Sequence, residues 1–510
     1  MESQPTALPG QAGPAAGWTR GAIAGALAPI ETLLAWRRAW LGMDKNPKAL
    51  LFVQSRTGAI LLHLAFLGIL TRCWLDSAQL AVAAAGLAAC FLFPAKRIQA
   101  VSIVGILSLL AQPFRDEAFE RHASGWLAQA AGTGIDPQLY IAAIAALFLA
   151  AAWGALALQD PFRGNPVGRR PLVAQFAVLI SLVAAAASLP LPPLAAAGLW
   201  TFIGVYASSF WLLGYAFANL KMKDRGSPAL HTGYLRPFWG GDITPIGKGM
   251  AFLRKFEARD DTALAATRLK ALKLLVWGFI LQKMNVRIEI FLADGIGLPG
   301  LREALIAQAQ GAAVEPHIGW AILLTSFFTK VVGLAATGHI LVAMVRMAGF
   351  GIPRNTAKPF ASRTLAEFWN RYYYYFKEIL VDFFFYPAFT RFFKKSPKLR
   401  VAFATFCAAG VGNAIYHFMY LIGDIPENGI MELLYGFQSY LIYASALAGG
   451  IIVSQLNSSR PRPEDGFLRY EVVPRVVVTL FFCTLMVFDD LRPGIELSTR
   501  FAYLFNLIGV

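Results

Sequence analysis

Charged residues are scarce in this 510-residue chain. Asp, Glu, Lys and Arg together make up 15% of it, while hydrophobic residues make up 57%. A soluble domain is typically about one quarter charged and about 45–50% apolar. Apolar runs of about 18 residues or more, the length a helix needs to cross a bilayer, recur along the whole chain. The composition therefore excludes an ordinary soluble domain and predicts an all-α polytopic membrane protein.

Cysteine and histidine are also few. The four cysteines form no Cys-x-x-Cys pair and lie in apolar stretches, so we interpret them as helix-packing residues and expect neither a disulfide framework nor a zinc site. No two of the six histidines stand four residues apart, so the spacing does not predict a metal site. We expect no bound cofactor.

The N-terminus lacks a positively charged segment followed by an apolar core, which argues against a signal peptide. Residues 1–21 are rich in Pro, Gly and Ala, and we expect a flexible tail there. Residues 22–219 read as a first set of membrane helices and residues 220–510 as a second part. Together they predict about 11 transmembrane helices plus interfacial and re-entrant helices.

The net charge is +16, but the basic residues are dispersed between apolar runs. They form no compact basic domain, so nucleic-acid binding is not expected. The lipid bilayer is the expected partner. Because Lys and Arg collect in cytoplasmic loops, residues 221–273 and 394–400 are predicted to lie on the cytoplasmic side.

Several segments carry more specific expectations. Residues 115–134 and 294–311 read as loops, and residues 269–292 as a tilted or broken helix, because charges interrupt its apolar pattern. Residues 236–249 are rich in Gly and Pro, which break helices. There we expect Phe238 and Trp239 to anchor a cytosolic loop at the membrane interface.

The most aromatic stretch is Phe368 to Pro387, FWNRYYYYFKEILVDFFFYP. It also contains Asn370, Arg371 and Asp382, and charges are costly in hydrocarbon. A helix that lies partly in the interface, or lines a wet cavity, suits both its rings and its charges. The hydroxyls of its tyrosines can then reach polar groups.

A second candidate site is the helical pattern GVGNAIYHFMY around His417. Asn413 precedes His417 by one helical turn, so its side chain could accept a hydrogen bond from Nδ1 and leave Nε2 as a base. The small residues Gly410, Gly412 and Ala414 would let another helix or a substrate approach closely. The alternative is that His417 only bonds neighbouring helices.

These two segments resemble the bacterial membrane-bound O-acyltransferases over about residues 230–425. In that family the aromatic segment typically reads Phe-Trp-x-Arg-Trp-His, continuing to Arg-Asp-Tyr and then Pro. The matching residues here are Phe368, Trp369, Asn370, Arg371, Asp382 and Pro387. Tyr373 stands where those members carry His, and Val381 where they carry Arg. His417 lies where the family has its catalytic His, in a later apolar helix.

The resemblance implies a helical bundle with a central tunnel. It also implies transfer of an acyl group from a thioester donor, such as acyl-CoA or an acyl carrier, to a hydroxyl. His417 would be the general base, while Tyr373 and Asn370 would donate hydrogen bonds. The orienting or tunnel-lining residues would be Asn413, Trp369, Asp382 and Arg371.

The acceptor class that the resemblance favours is an extracytoplasmic polysaccharide or cell-wall polymer. The resemblance also implies that the protein lies in the bacterial cytoplasmic membrane and works with a partner protein for acyl relay. A lipid acceptor is the alternative, because Tyr373 replaces the first His. Two further readings are a catalytically inactive family member acting as a membrane partner, and a transporter. The transporter would predict two similar halves and intramembrane charged pairs, and the sequence indicates neither.

Overall fold

A computed structural model describes residues 32, 34–73, 75–115, 117–159, 165–222, 226–241, 243–312, 314–457, 462–491 and 494–509. The structure is 80% helical and has no strand within those ranges. The only extended pairing among these residues is an isolated bridge between Glu257 and Phe350. The prediction of an all-α chain is confirmed there. The expected tail, residues 1–21, lies outside the described ranges.

In the described ranges, residues 34–42 are helical. They are followed by α1 (Pro47–Gln54), α2 (Arg56–Leu70), α3 (Ser77–Leu92), α4 (Arg97–Ala111), α5 (Glu117–Gln129), α6 (Pro137–Ala157), α7 (Pro166–Arg169), α8 (Pro171–Ser188) and α9 (Pro193–Asn219). The next helices are α10 (Pro228–Gly233), α11 (Met250–Lys255), α12 (Asp261–Ile290), α13 (Leu301–Ala309) and α14 (Pro316–Met347). The last are α15 (Leu365–Tyr372), α16 (Tyr374–Leu380), α17 (Tyr386–Arg391), α18 (Pro397–Thr405), α19 (Asn413–Phe418), α20 (Ile425–Leu456), α21 (Val473–Leu485) and α22 (Leu497–Leu507).

Seven helical segments in the described ranges are long and apolar enough to cross a membrane: Pro94–Ala111, Pro137–Ala157, Pro171–Ser188, Pro193–Asn219, Pro316–Met347, Pro397–Leu456 and Leu468–Phe488. The pair α1 and α2, bent by 94°, makes an eighth if it is one span. This indicates an integral multi-pass membrane protein. The segment α3 is shorter, and α12 is not among the apolar spans, since it carries several Lys and Arg residues.

The segment Pro397–Leu456 is a hairpin. Thr405 donates a hydrogen bond to Gln455 at 2.8 Å, and His417 contacts Tyr440. The two arms of the hairpin are therefore antiparallel. Gly429 makes the turn with φ 71° and ψ 156°, a conformation open to glycine because it lacks a Cβ. The hairpin sets His417 opposite the middle of α20.

Contacts between loops define two ends of the bundle. At one end, the guanidinium of Arg97 donates to the carbonyl of Ala258 at 2.5 Å. Lys394 and Lys395 stand just before α18, and Lys398 and Arg400 stand in its first turn, at this same end, which we call the basic end. At the other end, residues 424–432 contain Asp424, Glu427 and Glu432 and no Lys or Arg. By the bias of Lys and Arg towards the cytoplasm, the basic end is the cytoplasmic candidate.

Residues 228–249, which we call the inserted segment, run between helices and not along the surface. The hydroxyl of Ser102 on α4 donates to the carbonyl of Leu230 at 2.9 Å. The ring of Phe238 fills the space that a Cβ on Gly86 would need, 2.2 Å away. Phe238 and Trp239 are both buried, and the Trp239 indole donates to the carbonyl of Ile246 at 3.1 Å. The expectation that these two rings anchor a loop at the membrane interface is therefore wrong.

Other local expectations also change. Residues 117–129 form helix α5 and not a loop, because Ala118, Phe119, Ala123 and Leu127 make one apolar face. That face packs on α9, where the Trp126 and Trp200 rings stack with centroids 6.2 Å apart. Helix α13 lies inside the second expected loop. The tilted or broken helix expected at residues 269–292 is mainly the second part of α12, which is one continuous α-helix of 30 residues. The charged residues between positions 269 and 290 are exposed or half-buried.

The aromatic stretch is broken into short pieces. Tyr373 leaves the helical conformation with φ −141° and ψ 81°, so α15 ends before it and α16 starts after it. Asn355, which precedes the aromatic stretch in sequence, accepts two hydrogen bonds that stabilise this break. Its backbone carbonyl accepts from the Tyr374 N–H at 2.9 Å, and its Oδ1 accepts from the Tyr375 N–H at 3.2 Å. The break turns the Tyr373 side chain away from the helical pattern of its neighbours.

Candidate functional site

A cavity of about 600 Å³ lies inside the bundle. Its wall brings together residues from the aromatic stretch, the His417 helix, α14 and α20, with His417, Tyr373, Trp369, Lys330 and Tyr440 among them. The size lies within the range of about 300–1,000 Å³ that is usual for small-molecule sites. Two segments singled out in the sequence therefore share one cavity.

His417 is held through its Nδ1 atom. The backbone carbonyl of Asn413, one turn earlier, lies 3.0 Å from Nδ1, and the hydroxyl of Tyr440 lies 2.7 Å from it. The Tyr440 hydroxyl in turn donates to Oδ1 of Asn413 at 3.1 Å. We expected the Asn413 side chain to accept directly from Nδ1. Instead, its Oδ1 bonds the Tyr440 hydroxyl, and the backbone carbonyl of Asn413 bonds Nδ1.

These partners determine the tautomer of His417. A backbone carbonyl only accepts hydrogen bonds, so Nδ1 must carry the proton that it receives. Since Tyr440 donates its single proton to Asn413, its oxygen is available to accept from the same Nδ1–H. The neutral ring then has its lone pair on Nε2, which is the arrangement of an oriented general base.

Tyr373 reaches the His417 helix through a chain of hydroxyl groups. Its oxygen lies 2.7 Å from Oγ1 of Thr244 on the inserted segment, and Thr244 lies 2.5 Å from the hydroxyl of Tyr416. Tyr416 is 3.1 Å from Tyr420. The ring of Phe376 packs edge-on against His417 with centroids 5.4 Å apart. The inserted segment therefore joins the two predicted elements.

Lys330 places a cation on the cavity wall. It stands on α14, within an apolar span, and its ammonium pairs with Asp489 at 2.5 Å. The Lys330 side chain is 41% exposed and is one of the residues that line the cavity. Charged residues within membrane spans are costly, and they usually line a wet cavity or a substrate path. The pair keeps this part of the cavity polar.

Asp382 belongs to a separate ionic cluster around Lys248. The Lys248 ammonium lies 2.6 Å from Asp382 and 2.8 Å from Glu378, and the Tyr215 hydroxyl donates to Asp382 at 2.8 Å. Burial alone would lower the pKa of Lys248, but its hydrogen bonds to Asp382 and Glu378 outweigh burial and raise that pKa. Burial alone would raise the pKa of Glu378, but bonds from Lys248 and Lys377 lower it. The cluster ties the inserted segment to the aromatic stretch.

The other predicted residues lie as follows. Trp369 is on the cavity wall and meets Phe376 with ring centroids 5.7 Å apart. Arg371 pairs with Glu367, one turn earlier, at 2.6 Å. Asn370 is exposed and is not among the cavity residues, so the geometry gives its amide no role there. Asn413 is fully buried beneath His417.

Sequence reasoning missed Tyr440, Thr244 and the pair of Lys330 with Asp489. Lys330 had a usable signal, because a lone Lys inside an apolar run is unusual. Tyr440 is one of 16 tyrosines, and Thr244 lies in a segment that reads as a surface loop. Nothing in the linear pattern distinguishes either of them.

Two smaller cavities adjoin the first. One of about 260 Å³ shares Gln79, Arg115 and Gly241 with it, and one of about 340 Å³ shares Arg115 and Glu117 with the second. Both lie towards the end of the bundle that carries Asp424. Within the described ranges, no group of three or more His, Cys, Asp or Glu side chains is arranged to hold a metal ion.

The fold and the site define a helical multi-pass membrane protein with an oriented histidine on the wall of an internal cavity. No protein-family model matches the chain, and no curated protein is similar enough to match it.

Proposed function

We propose that this protein is a membrane O-acyltransferase that moves an acyl group from a thioester donor, such as acyl-CoA or an acyl carrier, to a hydroxyl. The observation that carries the proposal is the orientation of His417. Asn413 and Tyr440 hold its Nδ1, and its ring lines the same cavity as Tyr373. The match of residues 368–387 to the family motif supports the same reaction.

In the proposed reaction, Nε2 of His417 takes the proton of the acceptor hydroxyl as its oxygen attacks the thioester carbonyl. The tetrahedral intermediate then collapses with cleavage of the carbon–sulfur bond. The thiolate leaves and regains the proton from the imidazolium, so the products are an ester and a free thiol. A positioned base of this kind contributes about 10²–10⁴ to the rate.

Tyr373 is the proposed donor to the oxyanion. If Tyr416 donates to Thr244 and Thr244 donates to Tyr373, the hydroxyl chain runs towards Tyr373, whose own O–H group can donate in turn. Such chains polarise each bond along them. The strongest oxyanion donors are worth about 10²–10³ in kcat, and for this single neutral hydroxyl we expect about tenfold. This gives Tyr373 the part that the family assigns to a His.

The proposed setting is the bacterial cytoplasmic membrane, with about 11 spans. The donor would enter from the basic end, where an anionic thioester meets Lys and Arg residues. An extracytoplasmic polysaccharide or cell-wall polymer would reach the cavity along the side where the smaller cavities adjoin it, and the three cavities would form the tunnel. A partner protein for acyl relay fits the same scheme.

The test is the exchange of His417 for Ala in full-length protein in membranes, assayed with acyl-CoA donors and isolated cell-surface polymer. We expect ester formation to fall by about 10²–10⁴. His63→Ala is the matched control, because Nδ1 of His63 also bonds the carbonyl one turn earlier, at 2.8 Å, but His63 lines no part of this cavity.

Full activity of His417→Ala would refute this mechanism. Transfer to added phospholipid or glycolipid, and not to polymer, would favour the lipid-acylating alternative. If wild type and variant are both inactive with every donor, the reading as an inactive membrane partner is favoured.

A further inference from the structure

A second, separate cavity of about 340 Å³ lies in the N-terminal part of the chain, which the proposed reaction does not use. Helices α6 and α8 flank it and α9 forms its floor. Its wall is predominantly apolar, with Phe148, Ala152, Ala174, Phe202 and Phe217 among its residues. It shares no residue with the cavity of His417. We call it the N-terminal cleft.

One side chain in this apolar cleft has an unusual environment. Gln175 is 5% exposed, and neither its amide nitrogen nor its amide oxygen has a hydrogen-bond partner among the described residues. Gln159 lies on the same wall. Its nitrogen donates to the carbonyl of Phe217 at 3.0 Å, but its oxygen has no partner in the described structure. Buried polar groups are nearly always bonded, so each such exception needs an explanation.

The two amides lie at one end of the cleft. Gln159 follows the last turn of α6, and Gln175 stands near the start of α8, both close to the basic end of the bundle. Arg169 and Arg170 are exposed beside them. The aromatic wall, with Phe148 and Phe202, continues from there into the apolar part of the helices. The cleft is therefore apolar along its depth, with the two amides at one end, where Arg169 and Arg170 lie between its lining residues Gly168 and Pro171 in the chain.

We propose that the N-terminal cleft binds one acyl chain of an anionic phospholipid. The chain would fill the aromatic and alanine-lined slot. The amide nitrogen of Gln175, which has no hydrogen-bond partner among the described residues, would donate to the ester carbonyl of the lipid. The phosphate would lie at the mouth against Arg169 and Arg170, since basic clusters at a membrane surface attract anionic lipid. A ligand of this shape satisfies the buried amide, the apolar slot and the basic mouth together.

The test uses the full-length protein in vesicles of phosphatidylcholine with phosphatidylglycerol that carries a photoreactive group on its acyl chain. After illumination, mass spectrometry of peptides locates the label. We expect labelling on α6, α8 and α9, competed by unlabelled phosphatidylglycerol more strongly than by phosphatidylethanolamine. Labelling spread evenly over lipid-facing helices, or equal competition by both lipids, would overturn the proposal.

Three variants complete the test. Ala174→Phe fills the slot and should abolish labelling of the cleft, whereas Ala177→Phe adds the same ring to an exposed position of the same helix outside the cleft and should not. Gln175→Leu removes the amide and should reduce labelling about fivefold, the equivalent of one hydrogen bond. It also removes an unsatisfied buried group, so its thermal stability in detergent should not fall. Unchanged labelling of Gln175→Leu would overturn the role of the amide, even if Ala174→Phe fails to fold.

Discussion

The hydroxyl of Tyr440 lies 2.7 Å from Nδ1 of His417 and 3.1 Å from the side-chain oxygen of Asn413. One tyrosine on α20 thereby links the histidine to the asparagine that precedes it by one turn. The ring planes of Tyr440 and His417 are tilted by 33° with centroids 4.4 Å apart, so the imidazole is also packed from one side. The direction of Nε2 depends on this contact between the two arms of the hairpin.

Tyr440→Phe should lower kcat by about tenfold and leave KM nearly unchanged. The ring still packs, but Nδ1 of His417 loses the Tyr440 hydroxyl, and one neutral hydrogen bond is worth about 0.5–1.5 kcal/mol. Steady-state acyl transfer with a saturating acceptor measures both constants. Tyr503→Phe is the matched control, because Tyr503 also donates one hydrogen bond, to the carbonyl of Gly319 at 3.0 Å, outside this cavity. An equal loss in both variants would argue for a structural role only.

Tyr373→Phe should also lower kcat by about tenfold, or 1.4 kcal/mol, because it deletes the proposed donor and keeps the ring. Thr244→Val should lower kcat by a smaller factor, since it removes the hydroxyl that bonds Tyr373 and leaves Tyr373 itself in place. In the double variant the two losses should not add, because both act on one hydroxyl chain. A double-mutant cycle on kcat measures this. Fully additive losses would contradict the chain of donors.

Lys248→Met should destabilise the protein by about 3 kcal/mol. It leaves Asp382 and Glu378, which are largely buried, without the cation that joins them, and breaking a buried pair on one side is costly. Chemical denaturation in a mild detergent measures the free energy of unfolding. Lys398→Met, at an exposed position at the basic end, should change it by less than about 0.5 kcal/mol. Equal effects would show that the cluster does not support the fold.

The same cluster predicts a pH dependence of stability. The raised pKa of Lys248 means that its contribution is complete below the unfolded pKa of about 10.4 and is lost as pH rises through the folded pKa. The lowered pKa of Glu378 means that its contribution is present above the unfolded pKa of about 4.3 and is lost as pH falls through the folded one. Stability should therefore be flat between these limits, and Lys248→Met should weaken the loss at both ends.

The sidedness of the bundle can be tested with single cysteines. Lys395→Cys should react with an impermeant maleimide only after cells are permeabilised, whereas Glu427→Cys should react from outside. Both positions are exposed. Labelling should be done near pH 7, because burial raises the pKa of the native Cys73 thiol to about 11 and keeps it protonated and slow. Reaction of Lys395→Cys in intact cells would reverse the proposed orientation.

The fold class follows from properties that the chain carries locally. Apolar runs long enough to span a bilayer, and few charges between them, require helices whose backbone bonds close within each segment. The aromatic stretch and the helix of His417 also stand out in the sequence, because each places polar side chains inside an apolar context. The structure places Tyr373 and His417, one residue from each segment, on the wall of one cavity.

Other features depend on chain segments far apart in sequence. Thr244 contacts Tyr373 across 129 positions and Tyr416 across 172, and the inserted segment that carries it reads as a surface loop. A segment rich in turns and glycines has the same sequence pattern whether it lies in water or between helices. Phe238 is buried because its ring fits the space beside Gly86, which has no side chain. The helix at residues 117–129 likewise forms because α9 offers its apolar face a partner.

What the sequence by itself determined is therefore the class of protein, a helical multi-pass membrane protein, together with the two segments around the histidine. What only the tertiary structure decided is which groups orient that histidine. Tyr440 meets His417 because the hairpin turns at Gly429 and brings two arms into register. Asn370, next to Trp369 in the same motif, points out to the surface instead. Helix periodicity gives a residue a face, but which face borders the cavity is decided by packing against distant helices.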